Sequence, residues 1–519
     1  MQNFNHSHTS SKYLQVTFYG FLLLALVDKI FMLINYGFKF TDDDQQVVCM
    51  AANDMLHGHF YQPCFYGQSY NPLIESLLGV PLLALKIPEY IALPIVTTIL
   101  GMFPFFLFAF LFRKHYPLAA LVCLALPAAM PWFYGDMVIM PRGFVTGIAI
   151  GSIPCAILLF GNRNIVNFIL TGFISTIALT ANPNSALFLV PILFYSWLIN
   201  LKDWRFYVFI VSGLVLGSFF PLYIYYFYEA HPLYVVHGTG IIMPSIKLLK
   251  DGILHSDWYL QEISFIRSHA IIYILLTFLI VSGFLFLKRK YQQAATVIFA
   301  MVVFLLSFSI PKVHDGGDRI NFPLSRMFLG MPFIFAIFSS WIENALKKDT
   351  IYRYFKMLFP LFMLLFTVIF TLSKYHNIKL RYPDEVRWSL TVILRPVKDL
   401  CETCDSLQYY VKKYNADLVV SNGYTKLYMY GCPTLGDKFE TLYPPQERRA
   451  WDMEKEDKIV RNRILFMPKD TSFLKIAREI HLSIKKVSNN PLYYIIDMNG
   501  WHTLDLMRRL KLDVDIMRS

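Results

Sequence analysis

The sequence predicts a mostly α-helical, polytopic membrane protein with a small C-terminal α/β domain. Three observations carry this. Of 519 residues, 55% are hydrophobic and only 16% charged, where soluble domains run near 25% charged. The apolar residues gather into about eleven segments of roughly 18 to 25 residues, each long enough to cross a bilayer as a helix. From about residue 376 the composition becomes that of ordinary soluble protein.

The predicted spans lie near 14–37, 91–112, 118–135, 143–160, 165–181, 184–200, 206–228, 269–287, 293–310, 326–345 and 354–373. The polar start MQNFNHSHTSSK and a first apolar stretch without a small-residue cleavage site predict a retained anchor. Residues 72–88 are apolar but short, and they hold Glu75, Pro81 and Lys86. Taken as an interfacial helix on the outer face, they leave the basic loops on one side. Those loops carry Arg113 and Lys114, Arg163, Lys202 and Arg205, Lys288 to Lys290, and Lys347 to Lys356. The positive-inside rule makes that side cytoplasmic, together with the N-terminus. The stretch 38–90, the loops at 229–268 and 311–325, and the tail then lie outside, as expected of a cell (inner) membrane protein. The net charge of +12 belongs to these loops and to headgroup contact, not to nucleic acid.

The predicted division is a transmembrane domain over 1–375, with 38–90 as an outer loop, and an extracytoplasmic α/β domain over 376–519. In the latter, 417–421, 463–467 and 492–497 read as buried strands, and 471–487 and 501–511 as helices. Cys401 and Cys404 form a single CxxC, half a zinc site at most, and read as a thiol pair or a local disulfide, with Cys432 nearby.

Four groups of residues can do chemistry. Asp42, Asp43 and Asp44 leave the first span together. Adjacent carboxylates raise the proton affinity of at least one, which suits a general base or a divalent-cation ligand set. The plain alternative is a helix cap. Tyr66, Gln68, Tyr70, Asn71 and Glu75 have the aromatics and amides of a sugar-binding surface, or of an interfacial belt. Asp136 and Arg142 follow the third span. Lys312, His314, Arg319 and Arg326 form a cationic set able to hold a lipid phosphate, or merely headgroups. His231 and His237 are weaker candidates. Asp28 and Lys29 lie inside the first span, and sequence neighbours do not face each other on a helix. Each is therefore expected to pair with another helix. Ser-His-Asp order, Walker loop, HExxH and Rossmann fingerprints are lacking.

At these residues the chain resembles the GT-C superfamily of membrane glycosyltransferases, near the protein O-mannosyltransferases and the lipid A aminoarabinose transferases. The likeness lies in Asp44-Gln45, Ala52, Met55-Leu56, Gly58, Tyr66 to Tyr70 and Asn71-Pro72-Leu73. It continues in Asp136 and the stretch Arg326 to Pro332. Two departures stand out: Gln45 replaces the second acid, and Ser69-Tyr70 replaces an expected Glu-Lys. The resemblance implies a polyprenyl-phosphate-sugar donor and a glycan, lipid or protein acceptor. Asp44, with Asp43 and Asp136, would be catalytic. Asp42, Tyr66, Gln68, Tyr70, Glu75, Arg142, Lys312, His314, Arg319 and Arg326 would bind substrate. A divalent cation on Asp42–Asp44 is optional. Rival readings are a lipid-linked glycan polymerase or ligase, and a transporter or flippase, although charges at one membrane face without an internal repeat favour an enzyme.

Overall fold

The structure is a computed structural model that describes residues 12–237, 243–261, 263–314, 324–381, 387–388, 393–421, 432, 440–442, 450–468, 470–489 and 491–512. Among the described residues, six helices are long and apolar enough to cross a membrane: Lys12–Gly37, Glu89–Phe112, Trp204–Ala230, Ala270–Leu287, Arg326–Leu346 and Ile351–Ile378. Five shorter apolar helices fill the remaining predicted spans: Pro117–Ala129, Thr146–Phe160, Ile165–Ala181, Pro183–Ile199 and Tyr291–Ser307. A sixth short apolar helix, Ile74–Ala84 with 11 residues, lies within the stretch 72–88.

The chain divides into two compact units. One comprises Met1–Tyr36, Thr97–Pro221 and Gly240–Ile393; the other comprises Gly37–Val96, Leu222–Thr239 and Leu394–Ser519.

In the first unit Pro117–Ala129 is the central helix, packed by Lys12–Met32, Met331–Leu346 and Ile351–Arg381. One of its N-terminal N–H groups, which lack partners within the helix, has a specific partner. The buried Glu343 accepts the Ala119 N–H through Oε2 at 2.9 Å and the Tyr352 hydroxyl through Oε1 at 2.7 Å. A carboxylate there meets both unsatisfied N–H groups and the positive end of the helix. Phe333 is packed edge-on by Phe108 and Phe188, both at 5.0 Å. Ile165–Ala181 and Trp204–Ala230 approach so closely that a Cβ on Gly213 would stand 2.1 Å from the Ile169 carbonyl. Small residues permit such backbone proximity where lipid offers no hydrophobic drive.

Within the first span, Asp28 does reach another helix: Lys374 pairs with it and Tyr375 donates to Oδ1 at 2.8 Å. Lys29 departs from expectation. Its flexible stem turns back, placing Nζ 3.2 Å from Asp28 Oδ2. Buried away from water, both lysines converge on one carboxylate.

The second unit holds a five-stranded sheet in the order Thr441–Leu442, Leu418–Ser421, Arg463–Met467, Leu492–Asp497, Ile484–Asn489. Leu418–Ser421 runs parallel to both neighbours, and the last two pairings are antiparallel. One face buries Val420, Phe466 and Tyr494, the other Val419, Leu465 and Tyr493. The strand readings at 417–421, 463–467 and 492–497 therefore hold. The helix reading over 471–487 is corrected: the helix is Phe473–Glu479, and Ile484–Asn489 is an edge strand. Ile476, Ile480, Ile484 and Val487 mimic a helical stripe, but His481 takes φ +52° and breaks it. The cysteine pairing is corrected as well. Cys404 is bonded to Cys432, with Cα atoms 5.2 Å apart, and Cys401 takes no part in the disulfide.

Candidate active site

The stretch Phe40–Glu75 belongs to the second unit, where each acid of the run has its own setting. Asp42 caps the helix Asp43–Leu56. Its Oδ1 accepts the Gln45 N–H at 2.9 Å, and its Oδ2 accepts the Gln45 side-chain amide at 2.8 Å. It is fully buried, whereas Asp43 and Asp44 in the first turn are half-buried. Gln45, the departure from Asp-Glu, is thus the partner of the cap. The helix dipole favours carboxylates at all three positions.

The loop after this helix is built by backbone pairing. The Phe65 N–H donates to the Asn71 carbonyl at 3.0 Å, and the Leu73 N–H to the Pro63 carbonyl at 3.1 Å. Gly67–Gln68 lies parallel to Val235–His237. Gly67 at φ +83° and Asn71 at φ +64° make the turns, conformations that Gly and Asn tolerate best. The Cys64 N–H donates to the Tyr228 hydroxyl at 3.2 Å, and burial pushes the Cys64 thiol up to about 12.

The predicted Tyr66 is buried, and its hydroxyl donates to Asp54 Oδ2 at 2.8 Å. Gln68 and Tyr70 are half-buried, and Glu75 is buried in the first turn of Ile74–Ala84. Ser76 Oγ donates to the Val48 carbonyl at 2.8 Å, tying that helix to Asp43–Leu56. Trp451 was not anticipated. It stacks on Tyr61 at 4.4 Å and 8°, and meets Tyr66 edge-on at 4.7 Å. Nothing local in the sequence marks it, because its partners lie nearly four hundred residues away. His231 is occupied by its own helix end, with Nδ1 2.8 Å from the Phe227 carbonyl.

The remaining candidates belong to the first unit. Asp136 sits on the short helix Trp132–Met137 and Arg142 in the loop after it, and both are buried. That loop is braced by Asn184, whose Nδ2 donates to the Phe144 carbonyl at 2.8 Å. A Cβ on Gly147 would come within 2.5 Å of the Asn182 carbonyl, so the approach requires glycine. Arg326 is buried in the turn Leu324–Phe328, and Lys312 is half-buried. His314 uses both ring nitrogens. Nδ1 accepts the Tyr259 hydroxyl at 2.6 Å, and Nε2 donates to the Phe308 carbonyl at 2.7 Å. The carbonyl fixes this tautomer, since it can only accept. Arg319 lies outside the described residues. Among the described residues, no three His, Cys, Asp or Glu side chains group as a metal site.

The helices and the C-terminal sheet together define a multi-pass membrane protein with the GT-C fold. Among solved structures, the chain is similar to ArnT from Cupriavidus metallidurans in the apo state. The TM-score is 0.56 at 11% identity, over 94% of this chain and 98% of that one. It is similar also to ArnT from Cupriavidus metallidurans bound to undecaprenyl phosphate. There the TM-score is 0.53 at 12% identity, with the same coverage. No protein-family model and no curated protein sequence matches the chain.

Proposed function

We propose that the chain is an inverting glycosyltransferase. It moves a sugar from a polyprenyl-phosphate-linked donor to an acceptor hydroxyl of a glycan, lipid or protein. The observation that carries this reading is the likeness over 94% of the chain to a structure solved with undecaprenyl phosphate. The orientation proposed has the N-terminus in the cytoplasm of an inner-membrane protein and the C-terminal domain outside. The basic loops support it, as does the Cys404–Cys432 disulfide, a bond that persists in oxidising compartments.

The chemistry follows from the residues. The likeness of Asp44-Gln45 to the Asp-Glu that ends the first span in GT-C transferases assigns Asp44, with Asp43 beside it, as the base. Its carboxylate takes the acceptor hydroxyl proton, and the oxygen attacks the anomeric carbon. The bond from that carbon to the donor's phosphate oxygen breaks, and its electron pair leaves on the phosphate. The departing charge needs a cation more than a proton, a role given to Arg326 with Lys312. Asp136, Arg142, Tyr66, Gln68, Tyr70 and Glu75 are assigned to substrate orientation.

The test uses the purified full chain in nanodiscs with a panel of undecaprenyl-phosphate-linked hexoses and pentoses, reading release of undecaprenyl phosphate in the presence of membrane extract. Acceptor-dependent release is expected, falling about 10²- to 10⁴-fold in Asp44→Asn. Equal release by wild type and Asp44→Asn would sink the base assignment. Inertness with every donor, despite undecaprenyl phosphate binding, would favour a transport role.

A further inference from the structure

Where the first membrane helix begins, a cavity of about 240 Å³ opens in the first unit. Leu14, Phe18, Tyr19 and Pro117 form apolar walls, and Arg113 and Lys114 supply two positive charges. This volume is several times the ~30 Å³ a water occupies in the liquid. Phe18 packs edge-on against Phe110 at 5.5 Å, and the Arg113 guanidinium lies over the same Phe110 ring, 5.5 Å from its centre. That ring orients the guanidinium and leaves its in-plane N–H donors available.

Arg113 and Lys114 differ from those loop cations that are held by a carboxylate. Lys288 is paired with Asp349 at 2.7 Å, and Arg205 lies 3.9 Å from Asp203. Neither the Arg113 nor the Lys114 side chain makes a hydrogen bond or ion pair with any described residue, and both line the cavity. Residues 1–11, which lead into this end of the helix, contain no Asp or Glu. Two uncompensated cations on an apolar recess at a helix end match an anion that carries a hydrocarbon tail.

We propose that this cavity binds the headgroup phosphate of an anionic phospholipid. Arg113 and Lys114 hold the phosphate, and an acyl chain runs along Leu14, Phe18 and Tyr19. The site is independent of the transferase reading, because none of its residues has a role in the proposed reaction.

The experiment titrates the purified full chain in neutral detergent with phosphatidylglycerol, phosphatidylcholine or inorganic phosphate, and counts adducts by native mass spectrometry. Arg113→Ala with Lys114→Ala is compared with Arg163→Ala plus Lys202→Ala, which removes the same charge elsewhere. Gln15 also lines the cavity, and Gln15→Trp fills it without changing charge. Phosphatidylglycerol affinity is expected to fall about thirtyfold in the Arg113/Lys114 variant. It should also fall clearly in Gln15→Trp and stay within about twofold in the control. Equal losses in control and test variants would overturn the site as mere diffuse attraction, and so would unchanged affinity in both test variants. Binding of inorganic phosphate with no preference for phosphatidylglycerol over phosphatidylcholine would overturn the lipid assignment in favour of a soluble anion.

Discussion

Lys374 reaches Asp28 across 346 positions of sequence, and it also donates to the Ala128 carbonyl at 2.8 Å. One side chain thus joins three helices inside the membrane unit. Replacing Lys374 by Met should leave a buried carboxylate with Lys29 and the Tyr375 hydroxyl and cost about 3–5 kcal/mol. The double change Asp28→Asn with Lys374→Met should cost less than the single one. Thermal denaturation in detergent, read by intrinsic fluorescence, measures both, and additive losses would contradict the coupling.

The Cys404–Cys432 bond closes a separation of 28 residues. Chain-entropy reasoning gives it about 3.5 kcal/mol. Cys404→Ser with Cys432→Ser should lower the melting temperature of the C-terminal sheet, and added reductant should do the same to wild type. Cys401→Ser should change neither.

The Arg463 hydrogen bond holds the Asp497 carboxyl below its usual range. With the folded value depressed, the pair stabilises above about pH 4 and is lost as pH falls through the folded value. Both side chains are more than a third exposed, so the contribution is at most about 1 kcal/mol. Melting temperatures measured from pH 7 to pH 3 should converge for wild type and Arg463→Gln at the acid end. A difference that grows below pH 4 would reverse the sign argued here.

Trp451 closes the aromatic cluster against Tyr61 and Tyr66. Trp451→Ala should cost about 3–5 kcal/mol and expose residues 58–66 to limited proteolysis, while Trp451→Phe should retain most of the protection. Equal cleavage of wild type and Trp451→Ala would show that the stack does not order the loop.

The membrane helices were legible because a bilayer admits little besides long apolar segments. Their ends were less so: Pro131 divides the predicted 118–135 span into Pro117–Ala129 and Trp132–Met137. The edge strand Ile484–Asn489 was hidden because four aliphatics at near-helical spacing outweighed the turn at His481. In the candidate site the sequence showed which acids cluster, and left open that Asp42 would be the helix cap. Partners such as Trp451 for Tyr61, or Tyr259 for His314, depend on contacts that no local pattern encodes.

Thr41 pairs with Arg395 and Phe40 with Pro396, and the Val397 N–H donates to the Lys39 carbonyl at 2.8 Å. These bonds cannot form until some 350 further residues have left the ribosome. Because distant pairings come late, the acidic run beside Thr41 awaits the synthesis of residues 393–397 to gain its neighbouring strand. A nascent chain stalled before residue 394 would hold that segment incompletely paired, which makes it a natural substrate for quality-control proteases during biogenesis.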